Sequence, residues 1–269
     1  MEQNFIFIDG SYYLFYRFHA LQIWWKNANK EEELGIPIEN NKFVEKFEEI
    51  FVKNIQAMSK KLKINKNEKS IIIVGKDCKR ENIWRNEFYN NYKANRVKNV
   101  NCKSFFTKVY DNNLFQKAGV EYILEHPKLE ADDCIAITVN HVLEKYPKAK
   151  VFIITSDKDY LQLAEERVNI YNLTYKKLTE QKSSYGDSNC DLFCKIVMGD
   201  ISDNIKPVLS KCGIKTAIKC FENKAYFEER LKKEDAYELY NINKKIIDFR
   251  EIPYYLQKEF SVENNILVI

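Results

Sequence analysis

Acidic residues directly follow segments of the chain that have the composition of buried β-strands. The strand-like runs cover 4–9, 70–75 and 151–157, and the acids are Asp9, Asp77, Asp157 and Asp159. Because the carboxyl ends of parallel strands lie along one edge of a sheet, we expect these side chains to converge there. Carboxylate oxygens favour hard cations such as Mg²⁺ or Mn²⁺. This spacing therefore predicts a divalent-metal site at that edge.

More acids occur in two short clusters farther along the chain. They are Glu130, Asp132 and Asp133, followed by Asp200 and Asp203. Any one of these side chains could be a helix cap or a turn residue. Nine carboxylates at one place, however, would repel one another strongly unless cations neutralised them. The set contains no His or Cys, so it favours a hard cation over zinc.

One stretch of the sequence combines positive charge with aromatic rings. Residues 79–110 contain eight Lys or Arg against two acids, a net charge of +6 in a chain whose total is +4. The interleaved rings are Trp84, Phe88, Tyr89, Tyr92, Phe105, Phe106 and Tyr110. Cations that follow phosphates and rings that stack on bases are typical of a single-strand nucleic-acid surface. A pair of solvated amphipathic helices would have the same composition.

The strand-like runs alternate with segments of helical periodicity. Apolar residues at helical spacing predict a helix over 41–62, and another helix is expected over 130–142. A fourth strand is expected at 168–172. Alternating strands and helices indicate an α/β fold, with a mostly parallel central sheet flanked by helices.

The character of the chain changes near residue 185. The preceding part carries all the strand-like runs, whereas the sequence from Asp187 onward has helical periodicity and no convincing strand. We therefore expect two regions, an α/β core over 1–185 and a C-terminal helical module over 186–269.

Neither a membrane protein nor a disulfide-stabilised protein is indicated. The chain of 269 residues has no apolar run of the length that spans a bilayer, and its N-terminus lacks the basic and apolar regions of a signal peptide. The seven cysteines are odd in number and never form a CxxC pair. We therefore expect a soluble, intracellular protein with free thiols.

Taken together, these motifs resemble the flap endonuclease and 5′-3′ exonuclease superfamily, whose nuclease core is PIN-like. The bacteriophage ribonuclease H type of 5′ nuclease looks like the closest branch. The matching segments keep the family's order and are 5–18, 74–96, 129–136 (LEADDCIA), 153–163 (IITSDKDYLQL), 197–204 (VMGDISDN), 211–217 (KCGIKTA) and 246–253. The combination of LEADD, TSDKDYLQL and GDISDN is specific, whereas each motif alone would be weak.

The resemblance implies a site for two divalent cations. The implied ligands are Asp9, Asp77, Glu130 and Asp132 for one ion, and Asp157, Asp159, Asp200 and Asp203, helped by Asp132 and Asp133, for the second. Two such ions can activate a water and neutralise charge on the attacking and leaving oxygens of a phosphodiester. Mg²⁺ is the expected ion, and Mn²⁺ is expected to substitute for it.

The cations of the basic stretch have roles implied by the same resemblance. Lys93 and Arg96 match the family's Tyr-Lys-x-x-Arg pattern and would act as electrophiles at the scissile phosphate. Arg85 lies eight residues before Lys93, and this spacing in a helix would place all three cations on one face. Tyr92 is expected to stack on the neighbouring base. Residues 85–113 are expected to include a short arch over the active site.

A second DNA contact is implied at 211–217, which resembles the family's helix-hairpin-helix element, Gly-Ile-Gly-x-Lys-Thr-Ala. Gly213, Lys215 and Thr216 match that pattern, and Lys211 replaces its first glycine. A lysine can reach a phosphate with its side chain but cannot give the close backbone approach of a glycine. Duplex binding is therefore expected here, while K⁺ binding, common at this element, stays an open question.

The function implied by the resemblance is that of a Mg²⁺-dependent, structure-selective 5′ nuclease. The expected activities are 5′→3′ exonuclease and flap endonuclease cleavage, with removal of RNA primers during DNA replication. The expected partners are branched or nicked DNA with a 5′ flap, an RNA–DNA hybrid, and replication proteins such as a sliding clamp or a single-strand binding protein. The chain is expected to be a monomer.

Other functional classes stay open at this point. A PIN-like ribonuclease for single-stranded RNA would be shorter and would use fewer carboxylates. A non-catalytic DNA-junction binding protein would gain nothing from concentrated negative charge beside phosphates. A phosphatase of the haloacid dehalogenase type would need a second aspartate at the position of Ser11.

Overall fold

A parallel β-sheet forms the centre of the molecule. The computed structural model describes residues 3–31, 33–96, 100–182, 184–266 and 269. Its strands are β1 (Gln3–Asp9), β2 (Lys69–Gly75), β3 (Tyr122–Leu124), β4 (Lys150–Ile154) and β5 (Val168–Tyr171). Across the sheet they follow the order β3-β2-β1-β4-β5, and every neighbouring pair is parallel. The expected α/β fold with a mostly parallel sheet is confirmed.

Helices flank the sheet and form most of the C-terminal part of the chain. They are α1 (Gly10–Ala28), α2 (Asn41–Gln56), α3 (Met58–Lys61), α4 (Val100–Asp111), α5 (Leu114–Lys117), α6 (Ala131–Lys145), α7 (Ser188–Met198), α8 (Ile214–Glu222), α9 (Lys224–Glu234), α10 (Tyr237–Ile247) and α11 (Tyr254–Glu263). The helices predicted over 41–62 and 130–142 correspond to α2 with α3 and to α6. None of the described helices has the length and apolarity needed to cross a bilayer.

The register of the strands brings three loops to one edge of the sheet. Asp9 pairs with Gly75 at the end of β1 and β2, and Ile8 pairs with Ile154 at the end of β1 and β4. The chain therefore leaves β1, β2 and β4 at the same level. The short strand β3 has no counterpart among the predicted strands, because three residues are too few to show strand periodicity.

Alternating side chains of β1 divide the hydrophobic core between the two faces of the sheet. Phe5 and Phe7 belong to a cluster with residues of α6 and α11. Ile6 and Ile8 belong to a second cluster with residues of α1, α2 and α4. All four side chains are completely buried, and burial of each stabilises the fold by roughly 1.5–3 kcal/mol. The near-continuous apolar sequence of this strand is thus explained by burial on both faces.

Residues 80–96 do not form the helix that would place Arg85, Lys93 and Arg96 on one face. They form short 3₁₀ helices and turns, and Lys93 adopts a left-handed backbone conformation with φ of 54°. The backbone N–H of Lys93 donates to the carbonyl oxygen of Asp203 at 2.9 Å. The expectation of a common helix face is therefore wrong, because long-range contacts rather than a helical ladder shape this segment.

The aromatic residues of the basic stretch are largely interior. Trp84, Tyr92 and Phe105 are 1%, 5% and 0% exposed, whereas Phe88 is 46% exposed. The three buried rings pack in hydrophobic clusters, so they present no free face to a base. Three of the seven rings are therefore unavailable for stacking in this conformation, because burial of apolar rings stabilises the core. A nucleic-acid surface formed by the rest of 79–110 stays a prediction.

The segment expected to form an arch, 85–113, is described in part. Residues 97–99 lie outside the described residues. Helix α4 follows them, and its side chains Cys102, Phe105 and Val109 are completely buried in the cluster that also contains residues of α1 and α2. The described part of α4 is therefore a core helix. An arch formed by the rest of the segment stays a prediction.

The end of the chain returns to the sheet. Phe260 of α11, together with Ile266 and Ile269, belongs to the same core cluster as Phe5 of β1. Residues of α7, α8 and α9 also pack with one another in a smaller cluster. The boundary near residue 185 stays a prediction, but the final helix of the expected C-terminal module contributes directly to the core of the α/β region.

Candidate metal centre

Asp9 is held at the end of β1 by the start of the following helix. One carboxylate oxygen accepts from the backbone N–H of Tyr12 at 3.0 Å and so caps α1, and the other accepts from the hydroxyl of Thr155 at 3.2 Å. Gly10 permits this tight connection, since a Cβ at that position would lie 2.7 Å from the carbonyl oxygen of Gly75. The local fold thus presents Asp9 at the carboxyl edge of the sheet.

Asp77 connects the end of β2 to the first turn of α6. It accepts from the backbone N–H of Ala131 at 2.9 Å and from the hydroxyl of Ser11. The same first turn contains a capping box, in which the side chains of Glu130 and Asp133 each accept from the other residue's backbone N–H. These bonds satisfy N–H groups that a helix start leaves unpaired. Capping therefore places several acids beside Asp77.

The predicted acids surround a cavity of about 770 Å³. Six of the nine line it, namely Asp9, Asp77, Glu130, Asp132, Asp157 and Asp200. Asp133, Asp159 and Asp203 are buried and do not belong to its lining. The structure therefore brings all nine acids into one region but presents only six of them to a ligand.

Four of the six predicted acids that line the cavity lack a cationic partner among the described residues. Among the described residues, no Lys or Arg forms an ion pair with Asp9, Asp77, Asp132 or Asp157. Burial, and then the charges of Asp77 and Asp157, raise the pKa of Asp9 to about 7. Burial and the charge of Asp133 raise the pKa of Asp132 well above its usual range. A bound cation would relieve this repulsion, and the oxygen donors suit a hard divalent ion.

Arg85 is buried beneath the site and makes no contact with the cavity. Its guanidinium donates to both oxygens of Asp133 at 2.7 Å, to Glu130 at 3.0 Å and to the carbonyl oxygen of Ile246 at 2.7 Å. Burial opposes the charged form of Arg85, but Asp133 and the neighbouring anions outweigh it and raise its pKa. Arg85 therefore holds acids in place, and it is 2% exposed.

Glu130, Asp132 and Asp133 form a compact acidic cluster whose ligand atoms lie within 4.8 Å of one another. Asp133 is fully occupied, since Arg85 contacts both of its oxygens and Trp84 donates to one of them at 3.0 Å. Asp132 borders the cavity and has no such partner. Within this cluster, Asp132 is therefore the best-placed metal ligand, and a ligand role for Asp133 stays a prediction.

Glu130 is held by a second group of donors at the cavity wall. Lys93 Nζ lies 2.5 Å from one of its oxygens, and the hydroxyl of Tyr92 donates to the other at 3.0 Å. Burial would raise the pKa of Glu130, but Lys93 and neighbouring cations lower it. Lys93 is also 3.8 Å from Asp203, which in turn pairs with Arg96. Both Lys93 and Arg96 line the cavity.

The ring expected to stack on a base, Tyr92, is covered in this conformation by the cluster that includes Ile83 and Ile246. Its stacking role stays a prediction that requires the ring to become uncovered. Tyr185 lines the cavity, as do Tyr12 and Phe15 of α1, of which Phe15 is exposed. The sequence marks the two α1 residues only as part of the apolar start of this helix, so their proximity to the site was not expected.

Lys195 is a site residue that the sequence analysis missed. It lines the cavity from the last turn of α7, and its ammonium group pairs with Asp159 and lies 2.9 Å from Asp200. The available signal was weak, because a lysine near a helix C-terminus is common on electrostatic grounds alone. Thr155 and Ser11 were also missed, although each lies within two residues of a predicted acid.

The expected duplex-binding element lies apart from the cavity lining. Gly213 precedes the first turn of α8 and is exposed together with Lys211 and Lys215, while Thr216 is half-buried. Lys211 has a left-handed backbone conformation with φ of 48°. An exposed helix N-terminus flanked by two lysines is suited to bind a phosphate. The DNA-binding role of these residues stays a prediction.

Comparison with known proteins identifies the family. The profile of the 5′-3′ exonuclease N-terminal resolvase-like domain matches residues 4–189, more than half of the chain. The chain belongs to the 5′-3′ exonuclease family. The 5′-3′ exonuclease of Buchnera aphidicola subsp. Schizaphis graminum (strain Sg) is 31% identical over 220 residues, which cover 79% of this chain and 68% of that protein. The corresponding enzyme of Buchnera aphidicola subsp. Acyrthosiphon pisum (strain APS) is also 31% identical, with the same coverage.

Members of the superfamily with solved structures share the fold of this exonuclease-family chain. The T5 D15 protein co-crystallised with metal ions has a TM-score of 0.65 and 18% sequence identity, and the match covers 98% of both chains. The bacteriophage T5 D15 flap endonuclease in a pseudo-enzyme-product complex with DNA and metal ions has the same TM-score, identity and coverage. The resemblance to the flap endonuclease and 5′-3′ exonuclease superfamily is confirmed, and the chain is a nuclease.

Proposed function

We propose that this chain is a Mg²⁺-dependent, structure-selective 5′ nuclease that uses two divalent cations, for which Mn²⁺ can substitute. The observation that carries the proposal is that four of the predicted acids line the cavity without a cationic partner among the described residues, namely Asp9, Asp77, Asp132 and Asp157. The cations would lower the pKa of an attacking water and neutralise charge on the attacking and leaving oxygens. Metal ions in the T5 structures that share this fold support the proposal.

The cationic side chains would have two separate roles. Lys93 and Arg96 line the cavity and would hold the scissile phosphate there. Arg85 does not reach the cavity, so its proposed role is to position Glu130 and Asp133. The expected electrophile role of Arg85 is therefore replaced by a structural one in this proposal. No protein nucleophile is needed, because the attacking group is a water.

The proposed substrates are branched or nicked DNA with a 5′ flap, and RNA hybridised to DNA. The duplex would contact the exposed element around Gly213 and Lys215, while the cleaved strand would enter the cavity. The T5 D15 flap endonuclease forms a complex with DNA, which supports this class of partner. Removal of RNA primers during replication, with a sliding clamp or single-strand binding protein nearby, is the cellular role we propose.

Cleavage of defined substrates tests the proposal. A 5′-flap duplex, a nicked RNA–DNA hybrid and a single-stranded RNA are each incubated with Mg²⁺ or with chelator, with the label at the 5′ or the 3′ end to report polarity. We expect the first two substrates to be cleaved, from the 5′ side and only with Mg²⁺. Preferential cleavage of free RNA would instead identify a PIN-like ribonuclease. Binding without cleavage would identify a junction-binding protein.

A pair of variants links the activity to the cavity. Asp157→Asn removes one of the unpaired carboxylates, and we expect cleavage to fall by about a thousandfold, equivalent to about 4 kcal/mol of barrier. Asp235→Asn is the matched control, because Asp235 is exposed, lies outside the cavity lining and has a left-handed backbone that Asn tolerates. Equal activity of the two variants would contradict the proposed site.

A further inference from the structure

Lys195 occupies the space between two carboxylates of the proposed metal centre. It lies in the last turn of α7, where the helix dipole favours a cation. Its ammonium group pairs with Oδ1 of Asp159 and lies 2.9 Å from Oδ2 of Asp200. The lysine side chain is 16% exposed and borders the cavity. A protein cation thus already contacts oxygens that a bound metal ion would use.

Donor groups of the protein contact both oxygens of Asp200. Its other oxygen accepts from the backbone N–H and the hydroxyl of Ser202, at 2.7 and 2.6 Å. Both oxygens of Asp200 are therefore occupied by donors of the protein itself. This environment differs from that of Asp9 and Asp132, which form no ion pair with a Lys or Arg among the described residues.

We infer that Lys195 is a built-in counter-ion of the metal centre, which must leave Asp159 and Asp200 before these carboxylates can bind a divalent cation. The inference rests on the proposed two-cation function and names a residue that controls one of the two positions. The ion pair lowers the affinity of Asp159 and Asp200 for a cation, because the free energy of the pair is lost when the cation binds. For the carboxylates without such a partner, no ion pair has to break before a cation binds.

The two cation positions should consequently differ in affinity, and Lys195 should set part of the difference. Removal of the ammonium group leaves Asp159 and Asp200 unpaired and raises their affinity for a divalent ion. A coupling of 1–3 kcal/mol between two such events corresponds to a change of roughly 5- to 150-fold in affinity. For the partly exposed pair seen here, an increase of about tenfold is the expected size.

Direct measurement of Mn²⁺ binding in the absence of DNA tests the inference without reference to catalysis. The free ion is quantified by electron paramagnetic resonance while Mn²⁺ is titrated into wild type and Lys195→Met, a variant that keeps the length and apolar stem of the side chain. We expect wild type to bind one ion tightly and a second more weakly. In Lys195→Met the second binding constant should increase about tenfold.

Lys158→Met is the matched control, because Lys158 borders the same cavity and forms no ion pair within the described part of the chain. It should change the second binding constant by less than about threefold. Lys195→Gln provides a second neutral variant, and thermal unfolding shows which variants are folded. An unchanged or weaker second site in the folded variants would overturn the inference.

The inference and the proposed function fail in different ways. If wild type binds no Mn²⁺ and cleaves no DNA, the proposed function is wrong. If wild type binds Mn²⁺ and cleaves flap DNA, but loss of the Lys195 ammonium leaves the second binding constant at the wild-type value, only the counter-ion role is wrong. An increase that occurs equally in Lys158→Met would show a general effect of cavity charge and would also overturn the specific role of Lys195.

Discussion

The acids of the metal centre fall into two groups that differ in how their charge is balanced. The unpaired group borders the cavity and comprises Asp9, Asp77, Asp132 and Asp157. The paired group contacts Arg85, Arg96, Lys93 or Lys195 and comprises Glu130, Asp133, Asp159, Asp200 and Asp203. Residue type and position in the sequence are similar in the two groups. The surrounding cations make one group part of the folded framework and leave the other ready for a ligand.

The difference has opposite consequences for stability and for binding. In the paired group, each buried charge is compensated, so loss of one partner leaves an uncompensated charge in the interior. In the unpaired group, mutual repulsion destabilises the metal-free protein, and the same repulsion favours a cation. Substitutions in the two groups should therefore shift stability in opposite directions.

Arg85→Met should have the largest effect, because it leaves Asp133 buried without its cationic partner and removes one of the two cations that pair with Glu130. We expect the free energy of unfolding to fall by about 3–5 kcal/mol, as measured by urea denaturation. Arg80→Met is the control, since Arg80 is exposed, and it should change stability by less than about 1 kcal/mol. Similar stabilities of the two variants would contradict the conclusion that ion pairs with the paired acids stabilise the fold.

Lys93→Ala removes a cation with two contacts, since Lys93 pairs with Glu130 of the paired group and also lines the cavity beside the unpaired group. If it stabilises charge on the reacting phosphate, cleavage should fall by about 100- to 1,000-fold, while DNA binding in chelator is largely retained. Lys148→Ala, at an exposed site just before β4, should leave both properties near wild type. If Lys93→Ala lowers the folded fraction but the folded protein cleaves at the wild-type rate, Lys93 has only a structural role.

Asp132→Asn should stabilise the metal-free protein, in contrast to substitutions in the paired group. The amide removes a buried charge whose pKa is raised by burial and by Asp133. We expect the free energy of unfolding in chelator to rise by about 1 kcal/mol or more, and cleavage with Mg²⁺ to be lost. A lower melting temperature of Asp132→Asn in chelator would contradict this prediction, because it would mean that the Asp132 carboxylate stabilises the folded protein.

Asp9 provides a further test, a change in the pH dependence of stability in chelator. Its pKa in the folded protein is about 7, above the ordinary value of 3.8, so the folded state retains a proton that the unfolded state releases. The metal-free protein should therefore lose stability as the pH rises from about 4 to about 7. Asp9→Asn keeps a side chain able to cap α1, and its melting temperature should fall less over this range. Parallel curves would contradict the raised pKa.

The sequence was most informative where a local rule links residue type to position. Strand composition predicted β1, β2, β4 and β5, and the rule that loops leave parallel strands at one edge placed Asp9 and Asp77 beside one another. Helical periodicity likewise predicted α2 and α6. These inferences succeeded because strands and helices impose short, regular periods on burial.

Sequence reasoning failed where contacts between distant residues decided the conformation. Spacing alone suggested that Arg85 and Lys93 share a helix face, but the hydrogen bond from Lys93 to Asp203 and the burial of Arg85 against Ile246 prevent this. The contribution of α11 to the sheet core could not be inferred from its sequence, because this short helix has no pronounced apolar face. Each of these features depends on partners more than one hundred residues away.

The amino-acid sequence by itself determined the family, the parallel α/β architecture and the nine acids that gather at one edge of the sheet, since these follow from composition, periodicity and motif spacing. Only the tertiary structure decided which acids are paired and which are unpaired. The reason is that compensation of a carboxylate depends on the cation that packs against it, and Arg85 and Lys195 reach Asp133 and Asp159 from other elements of the chain.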